Sequence, residues 1–340
     1  MTKRLFILIS ILITTSVVVC FYYLSIDRDS KSISSLTKIV IKKDESSKWF
    51  KIARTNEISG VALVVHGLNL KPERMQSIIA ELNDMGIDVL NLSLRGHGDN
   101  YLKNSNLSSD EARLESFRTV TYGLWLDEIY SAYLKVRERA SRKNVPAFFV
   151  GFSIGGLMGC NLILLHTDVF FDRMVLFAPA LNITVESYLL RPLVPFPSMV
   201  IDSLSPLYYR ANNGTPMAAY KALFEAVQTF NNNADYRLNK PTLIFIDKKD
   251  EFVSSSNLNE MITRFNLDHW QVQVVQKDSN VGNKVSHHLV IDRNSVGKQM
   301  WKKIKKTIRK HLGMQENQLA LFTSAVTDIH TAGLGFGVLL

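Results

Sequence analysis

A serine enclosed by glycines is the feature that most limits what this chain can fold into. Residues 144–156 read NVPAFFVGFSIGG, so Ser153 stands between Gly151 and Gly155, with Gly156 directly behind. The apolar run before the serine predicts a strand, and the apolar run after it predicts a helix. Side chains beside a very tight strand-to-helix turn would collide with the backbone, which explains the flanking glycines. The pattern predicts a nucleophile elbow, with the serine hydroxyl exposed at the helix N-terminus.

Strand-like runs alternate with longer helical patterns on both sides of this turn. The helical patterns include residues 72–85 and 119–142. The strand-like runs include VALVV (61–65), IDVLNLSL (87–94), PAFFV (146–150), MVLFA (174–178), TLIFI (242–246) and VQVV (272–275). Such alternation predicts a mostly parallel sheet with helices on both faces. We assign it to one α/β domain spanning residues 38–312.

One stretch, residues 181–238, interrupts this rhythm because it is far too long for an ordinary connection between two strands. Its first part is rich in proline (RPLVPFP), and aromatic residues occur throughout. The stretch is interpreted as a helical insertion over one end of the sheet.

A serine hydroxyl is a poor nucleophile near neutral pH and needs a base that is itself oriented by an acid. In an elbow architecture the acid and then a histidine follow the serine along the chain. The loop DKKDEFV offers Asp250, with Asp247 as the alternative. The segment SHHLVID offers His287, with His288 as the alternative. We predict Ser153, Asp250 and His287, because Asp250 reaches further past its strand and the residues after His287 begin the closing segment.

An oxyanion formed at this serine would need two backbone N–H donors. The amide of Ile154 directly follows the nucleophile, and the amide of Leu68 lies in the loop after the VALVV strand. His66 and His97 precede the serine and are interpreted as structural histidines that brace loops. The histidines lack metal-ligand spacing, so we expect neither a metal nor another cofactor.

Five short motifs occur in one order along residues 55–312. They are HGL (66–68), RGHG (95–98), GFSIGG (151–156), DKKDEFV (247–253) and HHLVID (287–292). Together they resemble the α/β-hydrolase superfamily, and within it the branch of monoacylglycerol lipases, lysophospholipases and S33 aminopeptidase-like hydrolases. The resemblance implies an α/β-hydrolase fold and a Ser153–Asp250–His287 triad beneath a cap formed by residues 181–238.

The implied activity is hydrolysis of carboxylic esters through an acyl-enzyme intermediate. An apolar, aromatic cap favours acyl-lipid substrates such as monoglycerides or lysophospholipids. Three alternatives remain open from the sequence: an acyltransferase or a peptidase that uses the same triad, and a non-catalytic binding protein built on the same scaffold at a membrane.

The N-terminus contains a run without charged residues from Leu5 to Leu24, which matches the hydrocarbon thickness of a bilayer. Because the run ends in bulky aromatic residues, a signal anchor within residues 1–24 is favoured over a cleaved signal peptide. Lys3 and Arg4 precede the run and predict a cytoplasmic N-terminus, with the catalytic domain on the extracytoplasmic side. Residues 25–37 are polar and serine-rich, which indicates a linker.

The net charge of +9 is spread along the chain apart from one cluster at residues 301–313. No zinc-finger spacing, RNP-like motif or basic-region heptad accompanies the cations, which argues against a nucleic-acid-binding protein. The cluster has the spacing of a final helix with its apolar face inward, and a lipid-binding face is the alternative. Residues 313–340 form a moderately apolar tail with no assigned structure.

Overall fold

The computed structural model describes residues 46–52, 58–281 and 285–313 of the 340-residue chain. Seven strands form the main sheet in the order β1-β3-β2-β4-β5-β8-β9, and β6 pairs with β7 in a separate ribbon. The strands are β1 (Ser47–Phe50), β2 (Gly60–Val65), β3 (Ile87–Leu92), β4 (Ala147–Phe152), β5 (Arg173–Phe177), β6 (Val200–Asp202), β7 (Gly214–Pro216), β8 (Thr242–Asp247) and β9 (Trp270–Val275). In the main sheet all pairings are parallel except that of β1 with β3. The predicted mostly parallel sheet is confirmed.

Helices connect the parallel strands and cover the sheet. They are α1 (Gln76–Asp84), α2 (Ser109–Arg118), α3 (Tyr122–Lys143), α4 (Ile154–Leu165), α5 (Met217–Asn233), α6 (Ser255–Arg264), α7 (Arg293–Val296) and α8 (Lys298–Leu312). Short 3-10 turns occupy Pro72–Met75, Val185–Leu193 and Tyr236–Leu238. The long helix predicted over residues 119–142 corresponds to α3.

The central strands are buried on both faces, as their continuous apolar runs predict. In β2, Leu63 and Val65 face a core that contains buried residues of α3, α4 and α5. The alternate residues Ala62 and Val64 face a second core that contains residues of α1 and α8. Because successive side chains of a strand point to opposite faces, one strand contributes to both cores.

The basic segment near the C-terminus is the predicted final helix. Trp301, Ile304, Ile308 and Leu312 of α8 are buried, while most of its lysines are exposed. The Lys305 Nζ atom lies 3.2 Å from the Glu81 carboxylate of α1, which links the two helices on this face of the sheet.

The insertion of residues 181–238 has two parts, and only the first matches the idea of a cap. Residues 181–216 consist of a 3-10 turn and the β6–β7 ribbon, so this part has no α-helix. The second part contains α5, which packs into the core: Asn161 Nδ2 of α4 donates a 2.9 Å hydrogen bond to the carbonyl of Ala226. The small residues Ala219 and Ala226 are fully buried and allow this close approach. The predicted helical insertion therefore contains an α-helix only in its second part.

The predicted N-terminal anchor, the linker and the C-terminal tail after Gly313 lie outside the described residues. Within the ranges that are described, no helix combines the length and apolarity needed to cross a bilayer.

Candidate active site

Ser153 occupies the turn between β4 and α4 in a backbone conformation that few non-glycine residues adopt. Its φ is 53° and its ψ is −119°. The Ser153 amide donates to the carbonyl of Phe177 at 2.9 Å, and the Ser153 carbonyl accepts from the amide of Ala180 at 3.1 Å. Hydrogen bonds to the end of β5 and to the chain just after it therefore hold this strained turn, which is the predicted elbow.

The flanking glycines are required by close backbone contacts. A Cβ atom on Gly155 would lie 2.4 Å from the Val65 carbonyl oxygen and 2.6 Å from that of His66. A Cβ atom on Gly151 would lie 2.6 Å from the amide nitrogen of Gly156. The absence of a side chain at Gly155 lets the start of α4 approach the end of β2, and its absence at Gly151 lets α4 begin directly against β4.

His288 bridges the serine to a buried aspartate. Its Nε2 atom lies 2.8 Å from the Ser153 Oγ atom, and its Nδ1 atom lies 2.8 Å from the Asp250 Oδ2 atom. Because a carboxylate only accepts hydrogen bonds, Nδ1 carries a proton and Nε2 accepts from the serine hydroxyl. The three side chains thus form one continuous hydrogen-bonded chain.

Asp250 is fixed independently of the histidine. Its other carboxylate oxygen, Oδ1, accepts from the amides of Phe252 at 2.8 Å and Val253 at 2.9 Å. The Asp250 side chain is fully buried and that of His288 is 11% exposed. The acid is therefore held rigidly and shielded from water.

The choice of His287 needs correction, because its ring lies against a different aspartate. Its Nδ1 atom is 2.8 Å from the Asp247 Oδ2 atom, and its side chain is 38% exposed. Asp247 also caps its own loop by accepting from the Lys249 amide at 2.9 Å. The two aspartates and two histidines form two parallel pairs, and only the pair of Asp250 with His288 reaches Ser153.

Leu68 and Ile154, the predicted oxyanion donors, both line the cavity that contains Ser153. Ile154 is the first residue of α4, where backbone amides have no partner within the helix. Next to Leu68, Asn69 has a φ of 51° and its amide donates to the Nε2 atom of His97 at 3.0 Å. The oxyanion-hole assignment itself stays a prediction.

His66 and His97 are fully buried and braced on both ring nitrogens. His66 Nδ1 donates to the Gly67 carbonyl at 2.8 Å, and its Nε2 accepts from the Leu94 amide at 3.0 Å. Burial lowers the pKa of His66 to about 4 and that of His97 well below its usual value. Both rings are therefore neutral, in keeping with the structural role expected of them.

A cavity of about 350 Å³ opens above Ser153 between the sheet edge and the insertion. Its lining is mostly apolar or aromatic. The lining includes Leu68, Leu70, Phe152, Ile154, Ala180, Ile183, Leu190, Ile201, Leu204, Tyr209, Tyr220, Leu223, Phe224, Phe252, Val253 and Leu289. Both parts of the insertion contribute side chains to this lining. The helix α5 therefore packs in the core and also forms part of the cavity wall.

Two charged residues at the site were not singled out from the sequence. Glu251 accepts hydrogen bonds from the segment that carries His288, and Lys277 donates to the same segment. The only signal was the position of Glu251 directly after Asp250. Among the described residues, no cluster of three or more His, Cys, Asp or Glu side chains could hold a metal ion.

Several solved structures share this fold at low sequence identity. A soluble variant of monoglyceride lipase from Saccharomyces cerevisiae, in complex with a substrate analog, has a TM-score of 0.63 and 13% identity, covering 80% of this chain and 93% of that one. One of the metagenome-derived lipolytic enzymes LipS and LipT has a TM-score of 0.59 and 19% identity, covering 78% and 98%. Monoacylglycerol lipase from Paleococcus ferrophilus has a TM-score of 0.55 and 15% identity, covering 78% and 97%.

Curated protein sequences provide no match to this chain. A family match, in contrast, extends over residues 56–307 and includes all five motifs, from HGL at 66–68 to HHLVID at 287–292. The predicted superfamily and branch are thereby confirmed. With an α/β-hydrolase fold and a match over most of its length, the chain belongs to the family of hydrolases described as Serine aminopeptidase, S33.

Proposed function

We propose that this protein is a serine hydrolase that cleaves carboxylic esters of acyl lipids through Ser153, His288 and Asp250. The observation that carries the proposal is the unbroken chain of two 2.8 Å hydrogen bonds from the serine hydroxyl to the buried aspartate. The serine lies at an elbow and opens into an apolar cavity, and a serine linked to a base that is oriented by an acid is an arrangement that serves acyl transfer.

In the proposed mechanism the Ser153 Oγ atom attacks the ester carbonyl carbon while His288 Nε2 takes the hydroxyl proton. Asp250 stays ionised and stabilises the imidazolium. His288 then gives its proton to the leaving alcohol as the C–O bond breaks, which leaves an acyl-enzyme. Water, deprotonated by His288, hydrolyses that ester and restores the serine.

The negative charge that develops on the carbonyl oxygen needs donors that are already in place. The amides of Ile154 and Leu68 are the proposed donors, since both residues border the cavity beside the nucleophile. Loss of one such donor costs roughly 3 kcal/mol of transition-state stabilisation in well-studied serine hydrolases.

The cavity and the names of two fold neighbours support the proposed substrate class. The walls around Ser153 are mainly apolar, and they suit an acyl chain better than a peptide backbone, whose polar groups would lose hydrogen bonds to water. Two of the structural neighbours are named as a monoglyceride lipase and a monoacylglycerol lipase. Monoglycerides or lysophospholipids are therefore the proposed substrates.

The apolar segment Leu5–Leu24 would anchor the enzyme in the membrane that supplies them, with the catalytic domain on the extracytoplasmic side.

A substrate panel tests the proposal with the full-length protein and its Ser153→Ala variant. The panel contains monoglycerides, lysophospholipids, p-nitrophenyl esters of increasing acyl length and aminoacyl p-nitroanilides. We expect turnover of the esters by the wild type alone. Cleavage of the aminoacyl amides without any ester cleavage would establish a peptidase instead, and inactivity of the folded wild type on all four would favour the binding-protein alternative.

A further inference from the structure

The segment that carries His288 is held by a carboxylate on one side. We call residues 286–289 the histidine loop. The Glu251 Oε1 atom accepts from the amide of His287 at 2.8 Å. The Glu251 Oε2 atom accepts from the amide of His288 at 3.0 Å and from the Ser286 hydroxyl at 2.7 Å. One side chain therefore satisfies three donors of the loop.

A lysine holds the same loop through its carbonyl oxygens. The Lys277 Nζ atom donates to the carbonyl of Ser286 at 2.6 Å and to that of Leu289 at 3.0 Å. Partial burial lowers the pKa of Lys277 below its usual value, and the nearby carboxylates oppose that shift. Burial likewise raises the pKa of Glu251, but the hydrogen bonds from the loop outweigh it and leave that pKa below its usual value. Glu251 is therefore ionised near neutral pH.

We propose that Glu251 and Lys277 are positioning residues that clamp the histidine loop, so that the His288 imidazole can reach Ser153 and Asp250 at the same time. This inference rests on the proposed function, because it assigns a role through His288.

The clamp also joins the histidine to its acid. Glu251 directly follows Asp250, and the backbone of this acid loop is tied to the insertion: the Thr184 amide donates to the Phe252 carbonyl at 2.9 Å. The Glu251 side chain then fastens the histidine loop to the same backbone. The two loops that supply the acid and the base are therefore fastened to the same backbone.

The chemistry is sensitive to small displacements of this unit. The His288 ring makes hydrogen bonds of 2.8 Å on both sides, so a loop shift of about 1 Å would lengthen one of them beyond the normal range. Displacements of that size reduce rates by about 100-fold in other enzymes. A change at Glu251 should therefore lower the rate of chemistry and leave substrate binding largely intact.

Glu251→Gln is the main variant, because it keeps the shape of the side chain and replaces one acceptor with an NH₂ group that would face a backbone N–H. Ser286→Ala is a milder variant that deletes one of the three donors and preserves the carboxylate. Glu81→Gln is the control for a carboxylate-to-amide change elsewhere in the fold: Glu81 is buried, pairs with Lys305 and lies between α1 and α8, away from Ser153.

The experiment measures the rate constant for fluorophosphonate labelling of the full-length proteins, together with kcat and KM for a p-nitrophenyl ester and the melting temperature. We expect Glu251→Gln to be labelled about 10- to 100-fold more slowly than the wild type, with a similar fall in kcat and KM within about twofold. Ser286→Ala should be labelled about fivefold more slowly than the wild type. Glu81→Gln should react like the wild type whatever its melting temperature.

Each outcome decides the question. Wild-type labelling rates in folded Glu251→Gln would overturn the clamp and leave the proposed function standing. If Glu251→Gln does not fold, an unchanged rate in Ser286→Ala would overturn the clamp, and a selective loss there would support it. A folded wild type that reacts with no probe and no ester would overturn the proposed function and the clamp with it.

Discussion

The Nε2 atom of His288 lies 2.8 Å from the Oγ atom of Ser153. Its neighbour in the chain, His287, forms a similar contact with Asp247 but none with the serine. The same two loops thus hold two aspartate–histidine pairs side by side, and the direction in which each ring points decides which pair can act. Substituting each of these two adjacent histidines therefore shows directly which of them takes part in the chemistry.

Replacing each histidine with alanine should have very different effects. His288→Ala removes the proposed base, and we expect kcat for a p-nitrophenyl ester to fall on the order of 10⁴-fold or more. His287→Ala removes a half-exposed side chain, and we expect kcat to change by no more than about twofold. Equal losses in the two variants, both folded by circular dichroism, would contradict the assignment.

Gly155→Ala should disrupt the elbow, because the new Cβ atom would lie 2.4 Å from the Val65 carbonyl oxygen. We expect the free energy of unfolding to fall by about 2–3 kcal/mol, the usual effect of overpacking, and fluorophosphonate labelling to slow as well. Gly123→Ala in α3 is the control, since no atom lies within 4 Å of its new Cβ. Urea denaturation compares the two, and similar midpoints would mean that α4 can shift away from β2 at little cost.

The protein should lose stability in mild acid. Burial lowers the pKa of His66 to about 4, against an ordinary value of 6.5 in the unfolded chain. Between these values the unfolded chain binds more protons, so the free energy of unfolding falls as the pH decreases from 6.5 towards 4. For His66 alone the loss at pH 5 is on the order of 2 kcal/mol, and buried His97 acts in the same direction.

Urea denaturation at pH 7.5, 6.5, 5.5 and 5.0 measures this effect. His269→Ala, which removes an exposed histidine, is the control variant. A free energy of unfolding that stays constant from pH 7.5 to 5.0 would show that the two buried rings can be protonated without cost, contrary to their hydrogen bonds.

Arg139→Met should weaken the fold without affecting the chemistry. Arg139 Nε donates to the Asp88 carboxylate at 2.8 Å, and the Asp88 side chain is only 1% exposed. Removing the partner of a buried charge costs about 3 kcal/mol or more. Asp88 lies at the start of β3, at the opposite end of the parallel sheet from Ser153. We expect a lower urea midpoint and an unchanged kcat for the folded protein. A fall in kcat of the folded variant would show that the Arg139–Asp88 pair also affects the site around Ser153.

Much of the fold could be predicted because its signals are local. The continuous apolar runs of β2 and β4 mark strands buried on both faces, and the glycines around Ser153 mark a turn that excludes side chains. Asp250 could be chosen over Asp247 because the number of residues beyond the end of a strand sets how far a side chain extends past the sheet, and Asp250 lies three residues further along. Each of these features follows from a few consecutive residues.

Other features depend on contacts that no short stretch encodes. Neighbouring histidines point in different directions, so the choice between His287 and His288 depends on the turn of the loop that the clamp residues hold. The helix α5 has an apolar face that would suit either a cap or a core, and its packing against Asn161 decides in favour of the core. In the sequence, nothing distinguishes Glu251 from a glutamate on a solvated surface loop. Long-range packing therefore determines these details.

Intact-mass measurement after fluorophosphonate treatment tests the central claim most directly. The full-length wild type, Ser153→Ala, His288→Ala and His287→Ala would be treated at equal concentration for equal times. The account predicts one phosphonyl adduct on the wild type and on His287→Ala, and none on Ser153→Ala or His288→Ala. An adduct on folded Ser153→Ala, or a normal labelling rate in His288→Ala, would contradict it.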